Sequence, residues 1–143
     1  MVFDDPFGGV DPCSAVEVMV AALQTVFSYR PSEQADQSSS FRVAAPLMTP
    51  DFAARWDTAG SVLAPITSMQ WQQWSTRGVV LTATARLGED DHPPDTDTTF
   101  ARVAAVALRP ADGTPSLSLA VYARAIRPSA GAGWRISALE VRA

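Results

Sequence analysis

The chain has 143 residues, which is the size of one ordinary domain with a hydrophobic core of its own. Hydrophobic residues make up 47 % of it and charged residues 18 %, a balance typical of globular rather than disordered proteins. The formal net charge of −4 and the isoelectric point near 4.8 leave no sequence-wide basic field, which disfavours direct binding of nucleic acid.

Cysteine content and hydropathy exclude further kinds of protein. Cys13 is the only cysteine, so neither an intrachain disulfide nor a thiolate metal cluster is possible. No run approaches the ~20 apolar residues of a membrane span. Residues 1–9 also lack the basic and apolar regions of a signal peptide. The sequence therefore predicts a chain that is soluble as given.

The first strong element signal is helical. Residues 1–10 contain one proline and two glycines and are predicted to form a flexible leader. Residues 11–31 then predict a helix, because Asp11 can cap it, Pro12 suits its first position and Pro31 closes the segment. Apolar residues recur at helical spacing and predict one buried face, formed by Val16, Met19, Val20, Leu23, Val26 and Phe27.

Two further helices are predicted in the first half of the chain. One begins near Ser40, and Pro46 is expected to kink it or end it. The other follows with Thr49 as its cap and Pro50 at its first position, and it is expected to stop at Gly60. Two aromatic residues of this helix are spaced to face the same side, namely Phe52 and Trp56.

From Gln70 onward the apolar residues recur with a period of two, which is typical of strands. The first strand is predicted to begin near Trp71 and to bend at a bulge at Gly78. Three more strands follow after short turns, which favour antiparallel neighbours and so predict a four-stranded meander. The residues expected in the core are Val16, Leu23, Phe27, Phe52, Val79, Leu81 and Ile136.

The stretch GEDDHPPDTD, residues 88–97, gathers five acidic residues around the only histidine, His92. It lies between the first two predicted strands, and its two prolines force a loop-like path. A calcium loop needs a defined ligand spacing with a glycine turn, and a zinc site needs several His or Cys ligands. Neither pattern is present, so we expect a solvated hairpin loop that binds no metal.

Known catalytic motifs are absent from the sequence as well. It contains no G-x-S-x-G elbow, no phosphate-binding glycine loop and no H-E-x-x-H. Glu140, in the last predicted strand, is the best candidate for a general base if it is buried, and an exposed strand carboxylate is the alternative. We therefore predict a protein that is not an enzyme and uses no cofactor.

Three segments carry a resemblance to known proteins: VFSYRP at 26–31, APLMTPDFAARW at 45–56 and GWRISALEV at 133–141. With helices placed before a bent antiparallel sheet, the chain resembles the nuclear-transport-factor-two-like (cystatin-like) superfamily. The resemblance implies a single domain over 11–143 with an α+β fold. In that fold, three N-terminal helices pack on a strongly curved four-strand antiparallel sheet that forms a cone.

Within the superfamily the chain looks closest to the VirB-eight-like family, which includes the TcpC-like conjugation proteins, and to the Mce-associated proteins. In both branches the domain usually follows an amino-terminal membrane helix. The resemblance therefore implies a fragment of a single-span membrane protein on the outer side of the cytoplasmic membrane. Its only link to the membrane is then a segment that this sequence does not contain.

The function implied by the resemblance is that of a non-catalytic scaffold subunit of a conjugative type IV secretion system. Its partners are then other subunits of the secretion channel and further copies of itself, with no nucleic acid. One alternative is a small-molecule-binding or isomerase/lyase domain that uses the cavity of the cone. Another is an Mce-associated accessory subunit of lipid transport. An upstream membrane helix and the neighbouring genes distinguish these possibilities.

Two sets of residues are candidate sites. The stretch MQWQQWS at 69–75 places Trp71 and Trp74 three residues apart, so in a strand they project to opposite faces. One is then expected in the core and the other at a protein interface, where tryptophan is enriched. The cavity of the cone is expected to be lined by Tyr29, Trp56, Tyr122 and Glu140.

Overall fold

The computed structural model describes residues 2–55, 64–89 and 92–142 of the chain. Helices occupy the first part and strands the second, so the α+β class predicted from the sequence is confirmed. In the described residues the elements are α1 (Ala15–Val26), α2 (Ser38–Val43), a 3-10 helix (Ala45–Leu47), α3 (Pro50–Ala53), α4 (Ser68–Arg77), β1 (Leu81–Leu87), β2 (Thr99–Pro110), β3 (Leu117–Ile126) and β4 (Arg135–Arg142).

The four strands form one sheet in the order β1-β2-β3-β4, and each strand pairs antiparallel with the next. The predicted meander is therefore confirmed. α1 contacts all four strands and covers one face of the sheet. Burial alternates accordingly: Val121 on β3 is fully buried, whereas Ala120 beside it is exposed.

α1 begins later than the sequence predicts. Its N-cap is Ser14, whose side chain accepts a hydrogen bond from the Glu17 amide, so Ala15 is the first helical residue. Asp11 does not cap the helix, because its carboxylate accepts a hydrogen bond from the Cys13 amide in a turn before it. The predicted start at residues 11 and 12 is therefore wrong.

Most of the residues predicted for the core are buried, namely Leu23, Phe27, Val79, Leu81 and Ile136. Phe52 is half-buried, with its ring 5.4 Å from that of Phe41. Val16 is 49 % exposed, so its predicted burial is wrong. Val16 is the second residue of α1 and lies at about the same angle around the helix as the buried Leu23, two turns later, so the helical period alone does not account for its exposure. The buried stripe of α1 consists of Val18, Met19, Ala22, Leu23 and Val26.

A larger correction concerns residues 68–77, which form α4 rather than the start of a long strand. Thr67 caps this helix through its side chain, and Gly78 ends it in the left-handed region at φ 66°. Gly78 is thus a helix cap and not a strand bulge. Trp71 and Trp74 lie on the same side of the helix, because residues three apart are neighbours on a helix surface.

The predictions for the two intervening helices hold in part. α2 forms where a second helix is predicted, and the chain changes to the 3-10 helix around Pro46, as proline favours. Thr49 caps α3 and Pro50 is its first residue, as predicted. α3 ends after four residues. The predicted stop at Gly60 and the side chain of Trp56 lie outside the described residues.

Residues 2–10, predicted as part of a flexible leader, have no helix or strand but contribute two aromatic side chains to the core. Phe3 and Phe7 are each 5 % exposed. The guanidinium of Arg135 lies 4.5 Å from the centre of the Phe3 ring. Proline and glycine indicate irregular backbone here, but they carry no signal that the aromatic residues between them pack inside.

Groups from outside the sheet occupy parts of both its edges. Along β1, Tyr29 and Leu81 exchange two backbone hydrogen bonds of 2.9 Å. Two further amides of β1 donate to the side chains of Ser28 and Gln24, at 2.9 and 3.3 Å. At the other edge, the Thr49 amide donates to a carbonyl of β4 at 2.8 Å. The ends of the sheet are therefore partly closed to pairing with another chain.

Candidate functional site

A groove with a volume of about 610 Å³ lies between α1, α2 and the start of β1. Phe7 and Val43 supply apolar surface to its walls, and polar side chains come from α1 and α2. Of the residues predicted to line a cavity, Tyr29 lines this groove. The groove is therefore the first candidate for a binding site.

Several polar side chains of the groove are engaged within the protein. Ser40 Oγ donates to the Ser28 carbonyl at 2.6 Å and accepts from Gln34 Nε2 at 3.0 Å. Ser28 Oγ accepts from the Ala83 amide at 2.9 Å and donates to the Gln24 carbonyl at 2.6 Å. In the described ranges, no buried side-chain nitrogen or oxygen lacks a partner. These groups hold α1, α2 and β1 together.

Tyr29, like Ser28 and Ser40, is hydrogen-bonded within the protein. Its ring is buried, and its hydroxyl donates to Gln37 Oε1 at 2.9 Å. Burial raises the pKa of the Tyr29 hydroxyl well above its usual range, which favours the protonated form that donates to Gln37. The Gln37 side chain also accepts from the Ala64 amide at 2.8 Å and donates to the Ala64 carbonyl at 3.0 Å.

Tyr122 and Glu140 do not line the groove. They lie opposite each other on β3 and β4, on the side of the sheet that α1 does not cover. The reason is the alternation of a strand: Val121 and Leu139 point into the core, so the residues beside them point away. Trp56, the last of the predicted cavity residues, is outside the described residues.

The two tryptophans of α4 both contact the protein itself. Trp74 is 5 % exposed and belongs to the core. Trp71 is half-buried, and its ring meets that of Tyr29 edge to face, with 5.4 Å between the centroids and 66° between the planes. The interface role predicted for one tryptophan stays a prediction, and Trp71 is the remaining candidate for it.

A second candidate site is the uncovered side of the sheet, which we call the outer face. The register places Arg86, Ala105, Ala120 and Arg142 in one row across all four strands. Ala105 and Ala120 are exposed, so the middle of the row is a floor of small apolar side chains. The outer face consists of Thr82, Thr84, Arg86, Val103, Ala105, Ala107, Arg109, Ser118, Ala120, Tyr122, Arg124, Ala138, Glu140 and Arg142.

Charge is divided unevenly between the outer face and the rest of the chain. The face has a single acidic residue, Glu140, and four exposed arginines. Since the whole chain has 11 basic and 15 acidic residues, seven basic and fourteen acidic residues remain elsewhere. An acidic protein thus has one basic face, whose arginines are Arg86, Arg109, Arg124 and Arg142.

The acidic stretch connects β1 to β2, as predicted, but Asp95 within it is tied to the sheet. Arg102 on β2 donates to both carboxylate oxygens of Asp95, at 2.7 and 2.8 Å. This hydrogen bonding lowers the pKa of Asp95 below its usual range. The guanidinium of Arg102 also lies 4.0 Å from the centre of the Phe100 ring. One carboxylate of the loop is therefore paired rather than simply solvated.

The described part of this loop does not bring its polar groups together as ligands. His92 Nδ1 is 3.9 Å from Asp95 Oδ1, and it lies 2.7 Å from the Pro93 carbonyl. Over the described ranges, no three His, Cys, Asp or Glu residues are grouped so that they could hold a metal ion. Asp90 and Asp91 lie outside those ranges.

We expect Asp95→Asn to lower the melting temperature slightly at neutral pH, since a partly exposed pair contributes about 1 kcal/mol at most. The folded pKa of Asp95 is lowered, so this contribution is present above the unfolded carboxyl value of ~3.9 and is lost as the pH falls through the folded value. Thermal melts at neutral and strongly acidic pH measure the effect. The gap between wild type and variant should close in acid.

Asp97→Asn is the matched control, because Asp97 lies in the same loop and forms no ion pair with a described residue. It should leave the melting temperature unchanged at both pH values. A gap for Asp95→Asn that persists in acid contradicts the ion-pair explanation.

Sequence reasoning missed the outer face, although part of the signal was available. Arg86 alternates with Ala85 and Leu87, and the same period of two puts the other arginines on the non-core side of their strands. The register between strands cannot be read from that period. It is the register that brings Arg86 and Arg142, 56 positions apart in the numbering, into one row.

Within the described ranges, no helix is both long enough and apolar enough to cross a lipid bilayer. Comparisons of the chain with protein-family models, with curated proteins and with solved structures found no match. The function is therefore inferred from the shape and charge of the two candidate sites.

Proposed function

We propose that this protein is a non-catalytic assembly domain that works through protein contacts made by the outer face. The observation that carries the proposal is the face of the four-stranded sheet that α1 leaves uncovered in the described part of the chain, with exposed arginines at both ends of one row. An antiparallel sheet can leave one face to solvent or to a partner. Arginine and tyrosine, which this face presents at Arg86, Arg142 and Tyr122, are enriched in protein interfaces.

At the level of family, we propose a nuclear-transport-factor-two-like domain of the VirB-eight-like branch, with its sheet curved into a cone around the helices. The order of helices before an antiparallel meander supports this, as does the packing of α1 on all four strands. So does the segment GWRISALEV, in which Trp134 and Ile136 are buried. The domain then serves as a scaffold subunit of a conjugative type IV secretion system.

The proposed location is the outer side of the cytoplasmic membrane, with a membrane segment outside this sequence as the anchor. Partners there are other subunits of the channel. The acidic balance of the chain supports contacts with proteins rather than with the DNA that such a system transfers, because a net charge of −4 repels phosphate.

A plasmid-transfer assay in the bacterium that encodes the protein tests the proposal. Deleting the gene should strongly lower the frequency of transfer, and the wild-type chain should restore it. Ala120→Glu places a large charged side chain on the outer face and should fail to restore transfer. The matched control is Ala54→Glu, at an exposed alanine after α3, which should restore it. Normal transfer in the deletion strain would falsify the conjugation role.

The groove favours one other function, that of a small-molecule-binding domain. Its volume of about 610 Å³ falls within the usual range for ligand pockets, about 300–1,000 Å³. The engaged state of Ser28, Tyr29 and Ser40 argues against chemistry there, but it does not prevent an apolar ligand from contacting Phe7 and Val43. Native mass spectrometry of the purified protein separates the two functions, since a tightly held ligand adds mass to the chain.

A further inference from the structure

We propose that the outer face binds an acidic segment of a partner protein, which lies along the strands over the alanine floor between Arg86 and Arg142. The inference rests on the proposed function, which makes the occupant a protein, and it adds the chemistry of that partner. The segment is a helix or loop rich in Asp and Glu with small residues between them. Four arginines against one acidic residue set this preference.

The dimensions of the face suit a helix. Arg86 is on β1 and Arg142 on β4, so three strand spacings of about 4.8 Å put their backbones roughly 14 Å apart. A helix with its side chains is about 10–12 Å across, so it fits between them along the strands. Ala105, Ala107 and Ala120 lie under that path, and their small side chains let the partner approach the sheet closely.

The arginines of the face are available to a partner. None of Arg86, Arg109, Arg124 and Arg142 forms an ion pair with a described carboxylate. Arg142 lies 5.4 Å from the centre of the Tyr122 ring, and Arg124 donates to the Ser137 hydroxyl at 2.8 Å. Guanidinium groups bind carboxylates through two parallel hydrogen bonds, which gives an acidic side chain a specific partner here.

Other occupants fit the same observations less well. Two outer faces meeting each other would bring two basic surfaces together, so self-association through this face is opposed by charge. Single-stranded nucleic acid needs aromatic side chains on which bases stack. The outer face has one aromatic residue, Tyr122, with the carboxylate of Glu140 directly opposite it in the register. That carboxylate repels phosphate but can accept hydrogen bonds from a protein.

Fluorescence anisotropy with a labelled peptide of alternating Glu and Ala blocks tests the inference directly. The full chain should bind this peptide and should not bind the same peptide with Gln in place of Glu. The double variant Arg86→Glu with Arg142→Glu should weaken binding at least about tenfold, which corresponds to ~1.4 kcal/mol. The charge-matched control, Arg30→Glu with Arg77→Glu, changes two exposed arginines off the face and should have little effect.

A third variant tests contact with the floor rather than charge alone. Ala105→Gln keeps the net charge but raises the floor, and it should also weaken binding. If the double charge reversal does not melt cooperatively, the neutral pair Arg86→Gln with Arg142→Gln replaces it. Binding of wild type should in addition weaken as salt is raised, because exposed charges are screened.

Several outcomes overturn the inference. The inference is wrong if the acidic peptide does not bind. It is also wrong if the control variant loses as much affinity as the variant of the outer face, because the peptide is then attracted by the overall charge of the protein. Tighter binding of a labelled single-stranded DNA assigns the face to nucleic acid instead. If transfer depends on the floor but the peptide does not bind, the assembly function stands and the acidic partner is wrong. If the peptide binds but transfer is normal in the deletion strain, the conjugation role fails and the acidic site stands.

Discussion

Replacing Trp74 by alanine is expected to lower the free energy of unfolding by ~3–5 kcal/mol, because the side chain is 5 % exposed and belongs to the core. The indole is large, and its removal leaves a cavity in the core. Urea denaturation followed by circular dichroism measures the loss as a lower midpoint with an unchanged slope.

Trp71→Ala is the natural comparison, since the two residues lie on the same side of one helix. Trp71 is only half-buried against Tyr29, so its loss should cost roughly half as much as that of Trp74. A larger effect at Trp71 than at Trp74 contradicts the helical placement of this stretch. Sedimentation of the Trp71 variant also tests the interface prediction, which requires weaker association while the fold is kept.

Leu23→Ala is expected to cost ~2–5 kcal/mol, the second large effect. Leu23 has no exposed surface and belongs to the buried stripe by which α1 covers the sheet. α1 contacts all four strands. Removing the methyl groups of Leu23 therefore leaves a cavity between the helix and the sheet. The free energy of unfolding from urea denaturation is again the measurement.

Val16→Ala is the matched control on the same helix. Val16 is 49 % exposed, so the substitution should change stability by less than about 0.5 kcal/mol. Alanine also has the higher helix propensity, which offsets part of any lost contact. Similar losses at Val16 and Leu23 would show that Val16 is enclosed as well, which contradicts its exposed placement in the first turn of α1.

The sheet could be predicted because apolar residues alternate along most of the length of its strands and its turns are short. In β3, for example, Leu119, Val121 and Ala123 are buried in turn, and the same period is visible in the sequence. Residues 68–77 could not be assigned by period alone, because two tryptophans three apart fit either element when polar residues fill the gaps. Two residue types in the sequence favour a helix here. Thr67 suits an N-cap, and Gly78 suits the left-handed position at a helix end.

The candidate sites were harder to predict than the fold. Tyr29, predicted to line the cavity of a cone, lines the groove between α1, α2 and β1. Its bond to Gln37 and the link from there to Ala64 join parts of the chain that no local pattern connects. Tyr122 and Glu140 can be assigned to one face of the sheet only after the buried face has been identified. Element type follows from local patterns, whereas sites depend on register and on contacts between distant segments.

The hydrogen bonds that the side chains of Ser28 and Gln24 accept from β1 have a consequence for misassembly. They occupy amides that an exposed edge strand would otherwise offer to a neighbouring molecule, and Tyr29 holds the adjoining position. Growth of a cross-β stack from this edge therefore requires α1 to detach first. Substitutions that loosen α1 should promote fibril formation well below the melting temperature, and solvent exchange at the Ala83 and Ala85 amides should report the same opening.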